Sequence, residues 1–455
     1  MNSESENCVD AIIIGAGIAG MYQLYKLREL GLSVQLYETG DGVGGTWFWN
    51  RYPGCRFDSE SYTYGYSFSE EILQEWSWSE HFSPQPETLK YLNFVADKFD
   101  LRKHIQFSSR VASASYDEQL CQWHVVLEDG TKASARYLIS ATGPLSAPTL
   151  PAVEGIDDYQ GESFHTSRWP KAEDGFGGKQ FDFAGKRIGV VGTGATGVQL
   201  IQEIAKTAGE LLVFQRNPNW CAPLHNSEIT DAEQQKIKAS YDEIFQACRE
   251  SFGSFLHNFD PRSALEVTPE EREALFEKLY ADPGFSIWLG NFHDILTDTK
   301  ANDLISEFVA NKIRGRVNDA ELAEKLIPKN HGFGTRRVPM ETRYFEVYNQ
   351  ENVTLVDLRE SPIDRITATG IDTAQQQYDL DMIIYATGFD AVSGALNRID
   401  IRGVGGQKLK QKWANGPRTL LGLQIAGFPN FFTLVGPHNG ASFCNIPRCI
   451  EQNVE

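Results

Sequence analysis

The sequence has little with which to cross a membrane, chelate a metal or build a disulfide framework. Its longest apolar run near the start, Ala11 to Met21, falls well short of the roughly 18 residues that span a bilayer, and glycines interrupt it. No charged region precedes that run and no cleavage site follows it, so a secretory leader is not expected. The seven cysteines (Cys8, Cys55, Cys121, Cys221, Cys248, Cys444 and Cys449) are odd in number, scattered and without metal-ligand spacing. They read as the reduced thiols of a cytoplasmic enzyme with no metal site. No Cys-x-x-Cys pair stands near the start of the chain, which disfavours a disulfide reductase. Positive charge is also in deficit: a net charge of -19 would repel nucleic acid and anionic lipid, so neither is an expected partner, and any anionic ligand must be met by local Arg or Lys. The remainder is ordinary for a folded chain, with 455 residues, 41% of them hydrophobic, and a mean hydropathy of -0.36. That length fits two or three domains, in a monomer or homodimer.

What is abundant is glycine in one arrangement. Gly15-Ala-Gly-Ile-Ala-Gly20 and Gly192-Thr-Gly-Ala-Thr-Gly197 are two Gly-x-Gly-x-x-Gly loops, each preceded by an apolar run and followed by a helical stretch. Val9 to Ile14 reads as a buried strand, Ala19 to Leu30 as a helix and Ser33 to Glu38 as a second parallel strand. The pattern returns with Lys186 to Val191, a helix from Val198 to about Thr207, and Leu211 to Gln215. This is the βαβ setting in which such a loop holds a dinucleotide diphosphate against a helix N-terminus. Two dinucleotides in one chain imply an electron relay, one delivering hydride and the other receiving it.

The residue at each second strand end separates the two sites. Glu38 can accept both hydroxyls of an adenosine ribose and would repel a 2′-phosphate, so the first loop suits FAD or NAD. Arg216, in the matching place, suits a 2′-phosphate, so the second loop reads as an NADPH site. Between the units, residues 150–185 are rich in Gly, Pro and Asp and read as a connection. From Thr230 to about Leu326 the pattern is helical, with capping boxes at Thr230–Glu233 and Thr268–Glu271, the second with Pro269 at the first helical position. Leu275, Phe276, Leu279 and Tyr280 follow at helical spacing and read as core. Val353 to Asp357 and Met382 to Ala386 read as further strands. Two Ala-Thr-Gly tripeptides, at Ala141 and Ala386, each follow a strand and mark crossings between the nucleotide units. Ile446 to Glu455 begins like a helix and stops without a cap or polar tail, so the natural protein is expected to continue.

Longer patterns are more specific. Gly44-Gly-Thr-Trp-Phe-Trp-Asn-Arg-Tyr-Pro-Gly-Cys-Arg-Phe-Asp58 resembles the long fingerprint of type I Baeyer–Villiger monooxygenases, and Tyr159, Gly161, His165 and Trp169-Pro170 resemble their second one, with Tyr for the usual Phe. The resemblance extends from about Val9 to the last residue and is nearest the members acting on cyclic and terpenoid ketones. It implies an α/β fold of two Rossmann-like domains. FAD would occupy 1–150 and 387–455, NADPH 151–220 and 331–386, and 221–330 would be a helical insertion. It implies NADPH- and O2-dependent insertion of one oxygen atom beside a ketone carbonyl, cyclic ketones giving lactones, through a C4a-peroxyflavin. The catalytic pair would be Arg337, within Phe333-Gly-Thr-Arg-Arg-Val-Pro339, and Asp58, with Arg336 near the NADPH phosphate where relatives carry Lys. Gly15, Gly17, Gly20, Glu38, Gly45, Thr46, Asp58 and Val111 would meet FAD, and Trp47, Trp49 and Tyr64 would wall its ring. Gly192, Thr193, Gly194, Thr196, Gly197, Gln199, Arg216, Ala386, Thr387 and Gly388 would serve NADPH. His165 reads as a structural link between moving parts. Two other readings stay open: a related N- or S-oxygenating flavoprotein, which would not need Asp58 and Arg337, and a silent or uncoupled nucleotide-binding protein. The second is motivated by a segment, present in relatives, that would follow Glu455 and help enclose substrate and NADPH.

Overall fold

The opening apolar run forms the strand Asn7–Ile14, paired in parallel with Val34–Tyr37 on one side and Lys132–Ser140 on the other. Its two faces enter different core clusters, Ala11 and Ile13 in one and Ile12 and Ile14 in the other, which is why Ala11 to Ile14 carries no polar alternation and Ile12 and Ile13 are fully buried. The computed structural model describes residues 7–440 and 443–455. Around this strand an eight-stranded sheet assembles. Val111–Asp117 and Gln122–Leu127 add an antiparallel pair at one end, and Ile105–Gln106 closes the other. Two strands from late in the chain rejoin it, Asp400–Arg402 beside Val111–Asp117 and Phe431–Thr433 beside Lys132–Ser140.

The second unit is a five-stranded, wholly parallel sheet. Its order is Val353–Asp357, Glu210–Gln215, Arg187–Val191, Met382–Tyr385 and Glu162–His165. Each sheet contains a strand followed by a glycine loop and a helix, Ile18–Glu29 in the first and Ala195–Ile204 in the second. The second helix starts three residues before the expected Val198. Gly194 is extended and serves as its N-cap, so helical turns begin inside the glycine motif itself.

Between the two halves of the second sheet lies the helical insertion. Both predicted capping boxes form: Glu233 N donates to Thr230 Oγ1 at 3.3 Å and Thr230 N to Glu233 Oε2 at 2.9 Å, while the Thr268–Glu271 pair repeats this at 3.2 and 3.0 Å. Phe276 and Leu279 are buried and Leu275 and Tyr280 half-buried, as the helical stripe required. The insertion is closed at its base by a short parallel pairing of Ala222–Pro223 with Met340–Glu341. Beside it, Arg316 donates to the buried Glu341 at 2.6 Å and to Glu346 at 2.7 Å.

The chain finishes in the helix Ile446–Val454, where it was expected. Its Glu451 accepts from the Ser67 backbone N–H at 2.7 Å, and Glu455 accepts from Tyr22 Oη at 2.9 Å. One expectation is corrected here: Cys444 and Cys449 are a disulfide, not separate thiols. The final helix starts between them, with Pro447 in its first turn, and their Cα atoms lie 6.9 Å apart. Cys8, Cys55, Cys121, Cys221 and Cys248 are free. Among the described residues no helix is long and apolar enough to cross a membrane.

Candidate active site

The two glycine loops are built by the same lock. Gly15 has φ of +105°, and a Cβ there would stand 2.6 Å from the carbonyl oxygen of Ala141; Gly192 has φ of +108° and faces Ala386 O at 2.5 Å. Both partners are the first residue of an Ala-Thr-Gly tripeptide. These tripeptides, weak as sequence signals, are the backbone against which each loop closes. The third glycine of each motif lets the helix approach its own loop: a Cβ on Gly20 would lie 1.8 Å from Gly15 O, and one on Gly197 2.3 Å from Gly192 O. Both helices start at an extended glycine, Gly17 or Gly194, with no side-chain cap, so their first N–H groups are left to an anion.

A deep cavity runs along the first loop, lined by Gly15, Gly17, Glu38, Gly45, Thr46, Trp47, Trp49, Tyr64 and Val111, all expected from the sequence. Glu38 is buried at the strand end, its carboxylate accepting from Ala16 N and Gly40 N, each at 2.7 Å. Burial pushes its carboxyl up from the ordinary range, against the pull of those two N–H groups. At the other end of the cavity Trp47 Nε1 donates to Tyr64 Oη at 3.0 Å, and Phe57 stacks on Tyr64 with ring centroids 4.4 Å apart. Thus the first fingerprint folds back on itself as an aromatic wall.

That fingerprint also reaches the second unit. Gly54 has φ of +80°, and a Cβ on it would come within 2.5 Å of Gln199 O, so the Tyr52-Pro-Gly54 turn packs directly on the second glycine-loop helix. Gln199, expected beside NADPH, has its amide engaged with the fingerprint: its Oε1 accepts from Tyr52 Oη at 2.8 Å and its Nε2 donates to Arg56 O at 3.0 Å. Four residues past Gly54, Asp58 meets Arg337 from 279 positions away. Arg337 Nη2 lies 2.6 Å from Asp58 Oδ1 and Nε 3.3 Å from Oδ2, a forked pair, with the guanidinium 5.0 Å above the ring of Phe285. Neither side chain is fully enclosed: Arg337 keeps 32% exposure and Asp58 20%.

Arg216 and Arg336 are exposed, and among the described residues neither is in an ion pair of the fold. Thr193 donates to Asn217 O at 3.0 Å and so ties the second loop to the turn carrying Arg216. Thr387 donates to Thr149 O at 2.6 Å, joining the second crossing to the segment that follows the first. Thr196 is half-buried on the second helix. Sequence reasoning missed Arg110, Arg168 and Arg398, which converge on the wall of the FAD-side cavity. Burial and then repulsion from the other two lower the pKa of Arg168, whose guanidinium lies 4.4 Å over Trp49. The signal available was Arg168 inside the second fingerprint. Ile446 and Ile450, one helical turn apart on the last helix, also line the cavity.

Residues 9–231 match the flavin-binding monooxygenase-like family. Over 448 residues the chain is 53% identical to the 2-oxo-Δ3-4,5,5-trimethylcyclopentenylacetyl-CoA monooxygenase of Pseudomonas putida, covering 98% of this chain and 82% of that protein. The chain belongs to the Baeyer–Villiger monooxygenases. It is 41% identical to the cyclopentanone 1,2-monooxygenase of a Comamonas species, across 99% of this chain and 81% of that one. The crystal structure of OTEMO in complex with FAD and NADP superposes with a TM-score of 0.96 at 52% identity, covering 99% of this chain and 83% of that one.

In this Baeyer–Villiger monooxygenase the second fingerprint is bound to the second crossing through His165. Its Nε2 lies 2.9 Å from Gly388 O, which can only accept, so Nε2 carries the proton; Nδ1 then accepts from Ser167 N at 3.1 Å. The imidazole is held neutral, and burial lowers its pKa. In the unfolded chain it would protonate near the ordinary value of about 6.5. Its contribution to stability is therefore present above that pH and is lost as pH falls below it, because the unfolded state binds the extra proton. His104 and His331 are shifted in the same direction. The thermal midpoint is expected to fall between pH 7.5 and 5.5, and H165N to show a shallower fall, read by flavin fluorescence melts.

Proposed function

We propose that this protein is an NADPH- and O2-dependent flavoprotein that inserts one oxygen atom beside the carbonyl of a cyclic ketone, giving a lactone. FAD occupies the cavity on the first glycine loop, NADPH the second loop, and Arg337 with Asp58 forms the reacting pair. The observation that carries this reading is the forked Asp58–Arg337 contact, whose charges act on Tyr64 in the cavity wall. The first site fits FAD by its own construction: a buried carboxylate at the ribose position, an uncapped helix start for the diphosphate, and an aromatic wall at the far end. Reduced FAD, when bound, supplies the two electrons with which dioxygen is split between product and water.

The residues supply the rest. A fixed guanidinium stabilises negative charge on the attacking oxygen because it needs no reorganisation as that charge appears. Asp58 orients Arg337 through both carboxylate oxygens and balances its charge when no anion is present. Trp47, Phe57 and Tyr64 exclude water, which would divert the oxygen to hydrogen peroxide. Arg110, Arg168 and Arg398 add cationic character to the wall of a cavity that takes a dianionic diphosphate, within an otherwise acidic protein.

The deciding experiment follows NADPH consumption by FAD-loaded protein with and without a panel of cyclic ketones, scoring lactone against hydrogen peroxide. Ketone-dependent lactone supports the reading; peroxide alone across the panel overturns it. Choice of coenzyme is tested by R216A. Loss of a charged contact to the 2′-phosphate is worth about 1.5–3 kcal/mol, so KM for NADPH is expected to rise about 10- to 100-fold while KM for NADH changes little.

A further inference from the structure

Beside the Asp58–Arg337 pair lies a second acid–base contact that the reaction does not use directly. Glu60, two residues past Asp58, is 92% buried, and its Oε1 stands 3.2 Å from Nε2 of His257 in the helical insertion. Both side chains are nearly enclosed, at 10% and 16% exposure. Among the described residues neither Oε2 of Glu60 nor Nε2 of His257 has a hydrogen-bond partner, so the two buried groups meet as a close polar contact and not as a hydrogen bond. Burying a carboxylate carries a desolvation penalty that a single nearby imidazole offsets only in part, so the contact is poorly explained as a source of stability. Its placement offers another account.

Glu60 is the N-cap of the short helix Ser61–Tyr64: its carbonyl accepts from Thr63 N at 2.9 Å and Tyr64 N at 3.1 Å. Whatever fixes Glu60 thus fixes Asp58 on one side and Tyr64 on the other, the first holding Arg337 and the second bonded to Trp47. The loop that carries His257 is itself anchored to the end of the chain. Gly253 O accepts from Asn445 N at 2.8 Å, and the buried Asn445 side chain donates to Thr63 Oγ1 at 3.1 Å. The short helix that follows the fingerprint, the insertion and the final helix therefore meet through polar contacts within a few residues of Asp58 in the chain.

We propose that Glu60, held by His257, is a positioning residue for oxygen transfer: it sets where Asp58 and Tyr64 stand and so couples the seating of the insertion to the alignment of Arg337. The proposal rests on Asp58–Arg337 being the reacting pair. A displacement of order 1 Å at such a pair costs up to about a hundredfold in rate, whereas reduction of the cofactor by NADPH does not depend on it. Loss of the contact should accordingly appear as uncoupling.

The test uses the FAD-loaded enzyme carrying E60Q, H257Q or both, with E60D as a variant that keeps the charge but withdraws it from His257. FAD content, melting temperature, KM and kcat for ketone, and the ratio of lactone to hydrogen peroxide are measured together. Each single variant is expected to keep FAD and to oxidise NADPH, with kcat for lactone down about tenfold, KM for ketone little changed and the balance released as peroxide. E60D should fall between, and the double variant should be no worse than either single because the two act as one unit. An unchanged lactone-to-peroxide ratio in E60Q, H257Q and E60D, with only the melting temperature lowered, overturns the proposal. R337A run alongside separates the two failures: lactone formation by R337A would sink the reacting pair itself, whereas its loss there with normal coupling in the Glu60 and His257 variants would sink this proposal alone.

Discussion

R337A is expected to lose lactone formation by about a thousandfold while still binding FAD and oxidising NADPH, its electrons appearing as hydrogen peroxide. The expectation follows from what Arg337 touches. Its guanidinium forks onto Asp58 at 2.6 and 3.3 Å and rests over Phe285, whereas the glycine loops close on the backbone of Ala141 and Ala386. What disappears is a fixed positive charge, and a fixed charge in a partly dry site is worth about 3–4 kcal/mol to a developing anion. R337K keeps the charge and loses the fork, so it should recover part of the activity, with a broader spread of products. D58A should be intermediate as well, since the guanidinium remains but is free to turn. Lactone and peroxide measured against NADPH consumed distinguish the three, and coupled turnover by R337A would contradict the assignment.

G20A should weaken flavin binding at least a hundredfold. A methyl group at that position would stand 1.8 Å from Gly15 O, a distance that only separation of helix and loop can relieve. Separation withdraws the helix N-terminus from the diphosphate and disturbs the turn that Gly15, at φ of +105°, makes against Ala141. Overpacking of this kind costs about 3 kcal/mol, which corresponds to at least a hundredfold in FAD affinity. G17A is the informative contrast, because a Cβ there meets nothing nearer than Gly45 Cα at 3.4 Å. The apo fold should accept G17A with little change in melting temperature, so any loss of flavin would come from the ligand side. Flavin absorbance per protein after gel filtration, with melting curves of both variants, checks the pair.

Features written contiguously in the chain were legible before any coordinates. The two βαβ units, the capping boxes at Thr230 and Thr268 and the final helix depend on neighbours within a few residues, and their physics is local. Asp58 and Arg337 were paired only through resemblance, because nothing within 279 intervening positions states that they meet. Gln199 shows a different limit. Its place in the motif gives nearness to the coenzyme, yet the face of the helix it occupies is the one against Tyr52, and side-chain direction is decided by that packing. The convergence of Arg110, Arg168 and Arg398, and the meeting of Glu60 with His257, join segments that share no pattern. Both are products of tertiary assembly.

The two closures of the glycine loops also differ in when they become possible. The first loop is completed by Ala141, the second by Ala386, which is made 245 residues later. A chain emerging from the ribosome therefore has the parts to shape its flavin-side loop long before those of its nicotinamide-side loop, and the whole insertion is synthesised in between. The last wall of the flavin cavity arrives with Ile446 and Ile450. The cavity thus draws its lining from the strand Asn7–Ile14 and from the helix Ile446–Val454, and all of that lining is present only after the insertion has been synthesised.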